Sequence, residues 1–168
     1  MLTIRSDIEE FPPGSSDKII SRFKWIIDTV ESVYLSTLTT GSYSGNRIII
    51  GKIDEKSKTI IGYKRRKLFK KWLPLIIFKL QLQETASSTR IHIRYFPGLA
   101  TLLFTLALYL GATSFILTSF ETPDLDTIFG SILWILTFPV IWTIVLILQV
   151  NNVENLIIEI LEQGQNEA

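Results

Sequence analysis

The sequence predicts an α+β fold: a small antiparallel sheet with one amphipathic helix, followed by a transmembrane helical hairpin and a short C-terminal amphipathic helix. Three observations carry this. All 17 Lys and Arg of the 168-residue chain lie between Arg5 and Arg94. Two uncharged runs follow, 26 residues from Tyr95 to Phe120 and 27 from Thr127 to Val153. Upstream of them, apolar residues recur first at helical spacing and then at period two. The predicted units are residues 1–95, a hairpin over 96–150 with spans near 97–120 and 128–150, and a tail over 151–168.

Each element has its own signal. Leu2 to Arg5 could open as a short strand. Pro12-Pro13-Gly14 breaks the chain, and Ser15 or Ser16 can cap a following helix. Ile19, Ile20, Phe23, Ile26, Ile27 and Val30 then fall three, four and seven apart, which predicts a helix over about 17–32. Val33 to Thr40 is β-branched and reads as a strand, and 41–46 (GSYSGN) is turn chemistry. Arg47 to Ile53 and Thr59 to Lys64 read as strands around the polar reversal 54–58. Phe78, Leu80 and Leu82 alternate with Lys79, Gln81 and Gln83. Ile91, Ile93 and Tyr95 alternate with Arg90, His92 and Arg94. Period two with one polar face predicts a half-solvated antiparallel sheet, whose apolar face the helix would cover.

The two uncharged runs are long enough to cross a membrane, since about 20 helical residues span a hydrocarbon core of about 30 Å. The mean hydropathy of +0.32 agrees. The first run begins near residue 97, too deep for a signal peptide. The connector 121–126 permits only a tight reversal and holds three acids and no cation. The basic residues upstream of the first run therefore place both termini in the cytoplasm by the positive-inside rule. The joint Phe96-Pro97-Gly98 is short, so the sheet should sit close to the bilayer. Pro139 removes a backbone donor within the second run, where a kink is expected. In the first run Ala107, Gly111 and Ser114 form a small-residue stripe for helix packing, within the hairpin or between chains. The tail places Val153, Ile157, Ile160 and Leu161 opposite Glu154, Glu159 and Glu162. It reads as an amphipathic helix that docks on the basic domain.

Charge separates the halves: residues 1–95 carry a net +8 and the remainder −7. The sharpest basic feature is the run of Lys64, Arg65, Arg66, Lys67, Phe69, Lys70, Lys71 and Trp72, with Leu68 interleaved. Cations mixed with aromatic side chains suit anionic lipid headgroups at a membrane surface. A solvated loop that fixes topology is the plainer reading, and nucleic acid is the least favoured. The absence of Cys excludes disulfides and a thiol nucleophile. A single His excludes metal sites needing two imidazoles, and His92 has no neighbouring carboxylate to orient it. No phosphate-binding glycine spacing and no nucleophile elbow occurs. Neither run contains Asp, Glu, Lys, Arg or His, which argues against pumps, proton-coupled carriers and voltage sensors. No enzyme activity, cofactor or metal is expected.

The layout of a basic α+β domain (GSYSG, IIIGKID, TRIHIRYFPG), a two-span hairpin and an acidic tail helix resembles small, uncharacterised bacterial membrane proteins. The resemblance implies a bacterial inner membrane and transfers no activity and no site residue. The expected role is a membrane anchor or interaction protein in contact with anionic lipid and with a protein partner or further copies of itself. The alternatives are an oligomeric pore-forming or membrane-perturbing protein, and an accessory subunit of a membrane enzyme or transporter.

Overall fold

A computed structural model describes residues 3–38, 47–65, 74–121 and 125–162. The elements are β1 (Arg5–Phe11), α1 (Ser15–Ile26), β2 (Ile27–Thr29), α2 (Val33–Ser36), β3 (Ile49–Asp54), β4 (Thr59–Lys64), β5 (Ile76–Glu84), β6 (Thr89–Pro97), α3 (Leu99–Glu121) and α4 (Leu125–Glu162). Six strands form one sheet in the order β1-β6-β5-β4-β3-β2. Every neighbouring pair is antiparallel except β2 and β3, which run parallel. The sheet is therefore mixed, not purely antiparallel. The cause is local: α1 ends where Ile27 turns extended, and its buried side chain carries the chain alongside Ile49.

Three other expectations are corrected. The first strand is Arg5–Phe11, because β6 offers it a partner along its whole length, from Tyr95 opposite Arg5 to Thr89 opposite Phe11. Its acids are tolerated because β1 is an edge strand. Neither Ser15 nor Ser16 caps α1. Gly14 stands at the N-cap with φ +77°, a conformation open to glycine. Ser15 Oγ donates to Pro12 O at 2.7 Å, and Ser16 Oγ bonds Glu84. The stretch from Val33 begins as a turn of helix, not a strand. Ser32 caps it by accepting from Leu35 N, and the Ser36 and Thr37 hydroxyls donate to Val33 O and Tyr34 O at 2.7 Å. These local bonds override β-branched composition. The predicted turn 41–46 lies outside the described residues.

One face of the sheet carries the main core. Ile49, Ile60, Phe78, Leu80, Ile91, Ile93 and Tyr95 meet Ile20 and Phe23 of α1 and Val150, Val153, Ile157 and Leu161 of α4. The tail is thus the last third of α4, laid on the sheet, as its apolar spacing requires. Gly51 and Gly62 are directly paired on this face. A Cβ at Gly62 would meet Ile49 Cγ2 at 2.9 Å and Ile50 O at 3.0 Å. Phe78, opposite Gly62, fills the hollow and packs on Phe23 at 6.4 Å. On the other face α2 and the loop before it cover one corner, where Val30, Val33, Ile50, Tyr63, Leu75, Ile77 and Phe96 are buried.

The two long helices leave the sheet together. Gly98 N donates to Leu75 O at 2.7 Å, and Leu75 N donates to Thr101 Oγ1 at 2.6 Å, so the start of α3 is tied to β5. Trp142 Nε1 donates to Thr105 Oγ1 at 3.0 Å, and its ring packs on Phe104 at 5.1 Å, joining α4 to α3. The α4 helix continues through Pro139. Among the described residues one helical stretch, Thr137–Glu162, is long and apolar enough to cross a membrane by length and composition, and 22% of its most apolar window is buried. Leu99–Ser114 is apolar and shorter.

Candidate membrane-surface site

The sheet has two unlike ends. β6 finishes at Pro97, β5 begins at Ile76, β4 finishes at Lys64 and β3 begins at Ile49. Antiparallel pairing puts these four positions at one end, the end from which α3 departs. Lys64 and Arg65, the described start of the basic run 64–72, lie at this same end. Lys64 is exposed, and among the described residues it has no carboxylate partner. Arg66, Lys67, Phe69, Lys70, Lys71 and Trp72 lie outside the described residues.

Arg65 is already engaged within the fold. Its guanidinium is paired with Asp28 across β3. Arg47 approaches the same carboxylate at 3.8 Å. It also donates from Nη1 to Lys24 O at 2.7 Å and Ile27 O at 2.6 Å, closing the C-terminus of α1. Arg5 is used similarly. It forms two bonds to Glu154, at 2.8 and 2.9 Å, which fasten α4 to the edge strand. Beneath that pair Tyr95 is buried. Burial, reinforced by Glu154 and Asp7, pushes its hydroxyl far above the ordinary tyrosine range.

The other end of the sheet is held by a different ion-pair cluster. Lys58 Nζ donates to Glu84 at 2.8 Å and to Ser16 Oγ at 2.7 Å. Its bonds from Lys58 and Ser16 hold the Glu84 carboxyl below its ordinary value, and Lys58 is raised in turn. Asp54 is lowered by the hydroxyl and backbone of Ser57 in the β3–β4 turn.

The uncovered part of the second sheet face holds residues that sequence reading did not single out. Register places Lys52 opposite Ile61, Ile61 opposite Lys79, and Lys79 opposite Arg94. Paired residues share a face, so these four form one row across the sheet. Directly opposed like charges destabilise a strand pair. No carboxylate relieves Lys52, Lys79 or Arg94 by an ion pair among the described residues. Arg90, two levels on beyond His92, is paired with Glu10 at 2.7 Å. The alternation of β5 and β6 already marked Lys79 and Arg94 as outward, but only the register brings them together with Lys52.

Of the helix-packing residues, Ala107, Gly111 and Ser114 are exposed. A Cβ at Gly111 would meet nothing within 4 Å. Gly111 thus has open space beside it, while Thr105, which bonds Trp142, lies on the α4 side. His92 is half-buried on the open face, between Arg90 and Arg94. No group of three or more His, Cys, Asp or Glu positioned to hold a metal occurs among the described residues. The chain matches no family model, and no curated protein or solved structure is significantly similar to it.

Proposed function

We propose that the chain is an integral membrane anchor that holds a basic α+β domain against the cytoplasmic surface of a bilayer, without catalytic activity of its own and as part of a complex. The observation that carries this reading is where the exposed apolar side chains lie. Leu102, Leu103, Phe104, Leu106, Tyr109 and Leu110 of α3 are exposed, as are Leu133, Val140, Ile141, Ile144, Ile147 and Leu148 of α4. Water does not tolerate a continuous apolar surface of that extent. The sheet domain, by contrast, buries two apolar clusters and exposes large apolar side chains only at scattered positions such as Ile8, Trp25, Leu35 and Ile48.

Both helices are taken to cross as a hairpin. The 23 residues of α3 span about 35 Å, enough for the hydrocarbon core. In α4 the last third packs on the sheet, so the crossing portion lies before Val150. The cations Lys52, Lys64, Lys79 and Arg94 lie towards the α3 end, and the acids Asp17, Asp54, Glu55 and Glu84 towards the other. Lys58 and Arg90 at that other end are paired with Glu84 and Glu10, which leaves Lys52, Lys64, Lys79 and Arg94 at the end expected to face a cytoplasmic surface. The contact with anionic lipid is assigned to this end, including the run from Lys64 to Trp72. The exposed stripe of Ala107, Gly111 and Ser114 favours, as a second reading, a chain that self-associates in the membrane and could line a pore.

The test uses single cysteines, since the chain has none. In sealed inner-membrane vesicles of known orientation, an impermeant maleimide should label Asp126→Cys and Ser57→Cys from opposite sides. Carbonate washing should leave the chain in the membrane. Release by carbonate, or labelling of both sites from one side, would overturn the reading.

A further inference from the structure

The open face of the sheet combines two features at one corner. Leu35 and Leu38, in and just after α2, are 63% and 49% exposed, and Ile48, just before β3, is 52% exposed. Alternation from Ile50 puts Ile48 on the face that α2 covers. Thr37 touches the joint at Gly98, so α2 stands at the α3 end of the sheet. Two levels behind Ile48 on this face, beyond Ile50, Tyr63, Ile77 and Phe96, lies the row of Lys52, Lys79 and Arg94. Arg94 is three residues before Pro97, about 10 Å along the strand, and the row spans three inter-strand gaps, about 14 Å.

We propose that this face makes a second, peripheral contact with an anionic leaflet: Leu35, Leu38 and Ile48 enter the acyl boundary, and Lys52, Lys79 and Arg94 meet the lipid phosphates. The inference rests on the reading that α3 and α4 anchor the chain.

Three arguments favour the bilayer as occupant. The first is distance. Arg94 lies about 10 Å along β6 from Pro97 and Lys52, three strands over, about 17 Å from it, one to two screening lengths at physiological salt. The second is depth. Helix α2 stands above the sheet, so its outer side reaches the membrane before the row does. Amphipathic elements bury their apolar side about 5–10 Å into the headgroup boundary, and long Lys and Arg side chains bridge such a step. The third is charge. Lys79 and Arg94 are opposed without an acid between them, a strained arrangement that an external phosphate relieves. Asp28, at this corner, is occupied by Arg65 and Arg47. The chain leans, in this geometry, towards the face that α1 and α4 leave free.

The full-length chain carries the test in nanodiscs of phosphatidylcholine, with and without phosphatidylglycerol. An environment-sensitive fluorophore is placed singly at Leu38→Cys, Ile48→Cys, Ser57→Cys or Ile141→Cys, and quenched by nitroxide-labelled acyl chains. We expect Ile141→Cys to be quenched in both lipids and Ser57→Cys in neither. Leu38→Cys and Ile48→Cys should be quenched with phosphatidylglycerol, and less so as salt rises. Lys79→Gln or Arg94→Gln should each lower the docked-to-undocked ratio about fivefold. Quenching at Ile141→Cys without any at Leu38→Cys or Ile48→Cys overturns this inference and leaves the anchor standing. Absence of quenching at Ile141→Cys removes the anchor and the inference together. Oligonucleotide binding in neutral nanodiscs that is lost in Lys79→Gln, without quenching at Leu38→Cys, assigns the row to nucleic acid and also overturns the inference.

Discussion

Glu84 joins three elements at the end of the sheet farthest from the start of α3. It accepts from Ser16 at the start of α1 and from Lys58 between β3 and β4, while sitting at the last position of β5. Its folded-state pKa is depressed, so its stabilising contribution is complete above its ordinary value of 4.5 and is lost as pH falls through the lower folded value. Lys58 has the opposite sign: its contribution is complete below its ordinary 10.5 and is lost at higher pH. Glu84→Gln should flatten the acid limb of a plot of Tm against pH relative to the parent chain, and Lys58→Gln the alkaline limb. An acid limb unchanged by Glu84→Gln would show that Asp54 and other carboxylates carry it. None of this was legible in the sequence, where Glu84 is one polar residue before a loop. Side chains 68 and 26 positions away decide its role. What was legible at this scale is orientation: the alternation around Leu80 and Ile93 assigned inward and outward faces that burial matches.

Helix α4 joins two physically different segments in 38 residues. Before Val150 most of its described apolar residues are exposed, Leu146 being partly buried against the main core. From Val150 onward a stripe at spacings of three and four is buried against the sheet. The spacing of Val153, Ile157 and Leu161 against three acids made the amphipathic tail readable, and its docking partner followed from charge. The sequence did not show that the apolar stripe, more than the acids, holds it. Ile157 is fully buried in the main core. Ile157→Ala should destabilise the chain by about 2–5 kcal/mol, the usual range for a large-to-small core change. Leu148→Ala, on an exposed position of the same helix, should leave the denaturation midpoint of the sheet domain unchanged. Equal effects of the two would mean that the tail does not belong to the core. The strand-to-helix change at Val33 shows the limit of propensity at this scale. A Ser cap and two hydroxyl back-bonds outweigh a β-branched composition, and such bonds depend on geometry that a residue count does not contain.

At the scale of the molecule, the chain leaves the sheet at Gly98 and returns to it at Val150, at the same end. Between those points lie α3, the acidic connector and most of α4, and every fully buried residue of the main core lies outside them. The expected docking of the tail on the basic domain pointed to this closure, but the register of the contact and the core residues it completes were not legible in the sequence. The long-range pairing of Arg5 with Glu154 and of Tyr95 with the α4 stripe reunites first and last segments. It predicts that the apolar helices can be excised. Residues 99–148 replaced by a flexible Gly/Ser linker of about 12 residues, with a root-mean-square reach of about 19 Å, should give a chain that stays soluble without detergent and melts cooperatively. The fragment 1–98 lacks Val150, Val153, Ile157 and Leu161 and exposes Tyr95, Ile93 and Phe78 of the sheet. It should aggregate or unfold at a lower temperature. The two chains differ only in the linker and the tail, so circular dichroism melts and sedimentation of the pair isolate the contribution of the tail. If both were equally stable and soluble, α1 alone would suffice to cover the sheet. If both aggregated, the folded state of the sheet would depend on the helices themselves or on the bilayer beside it.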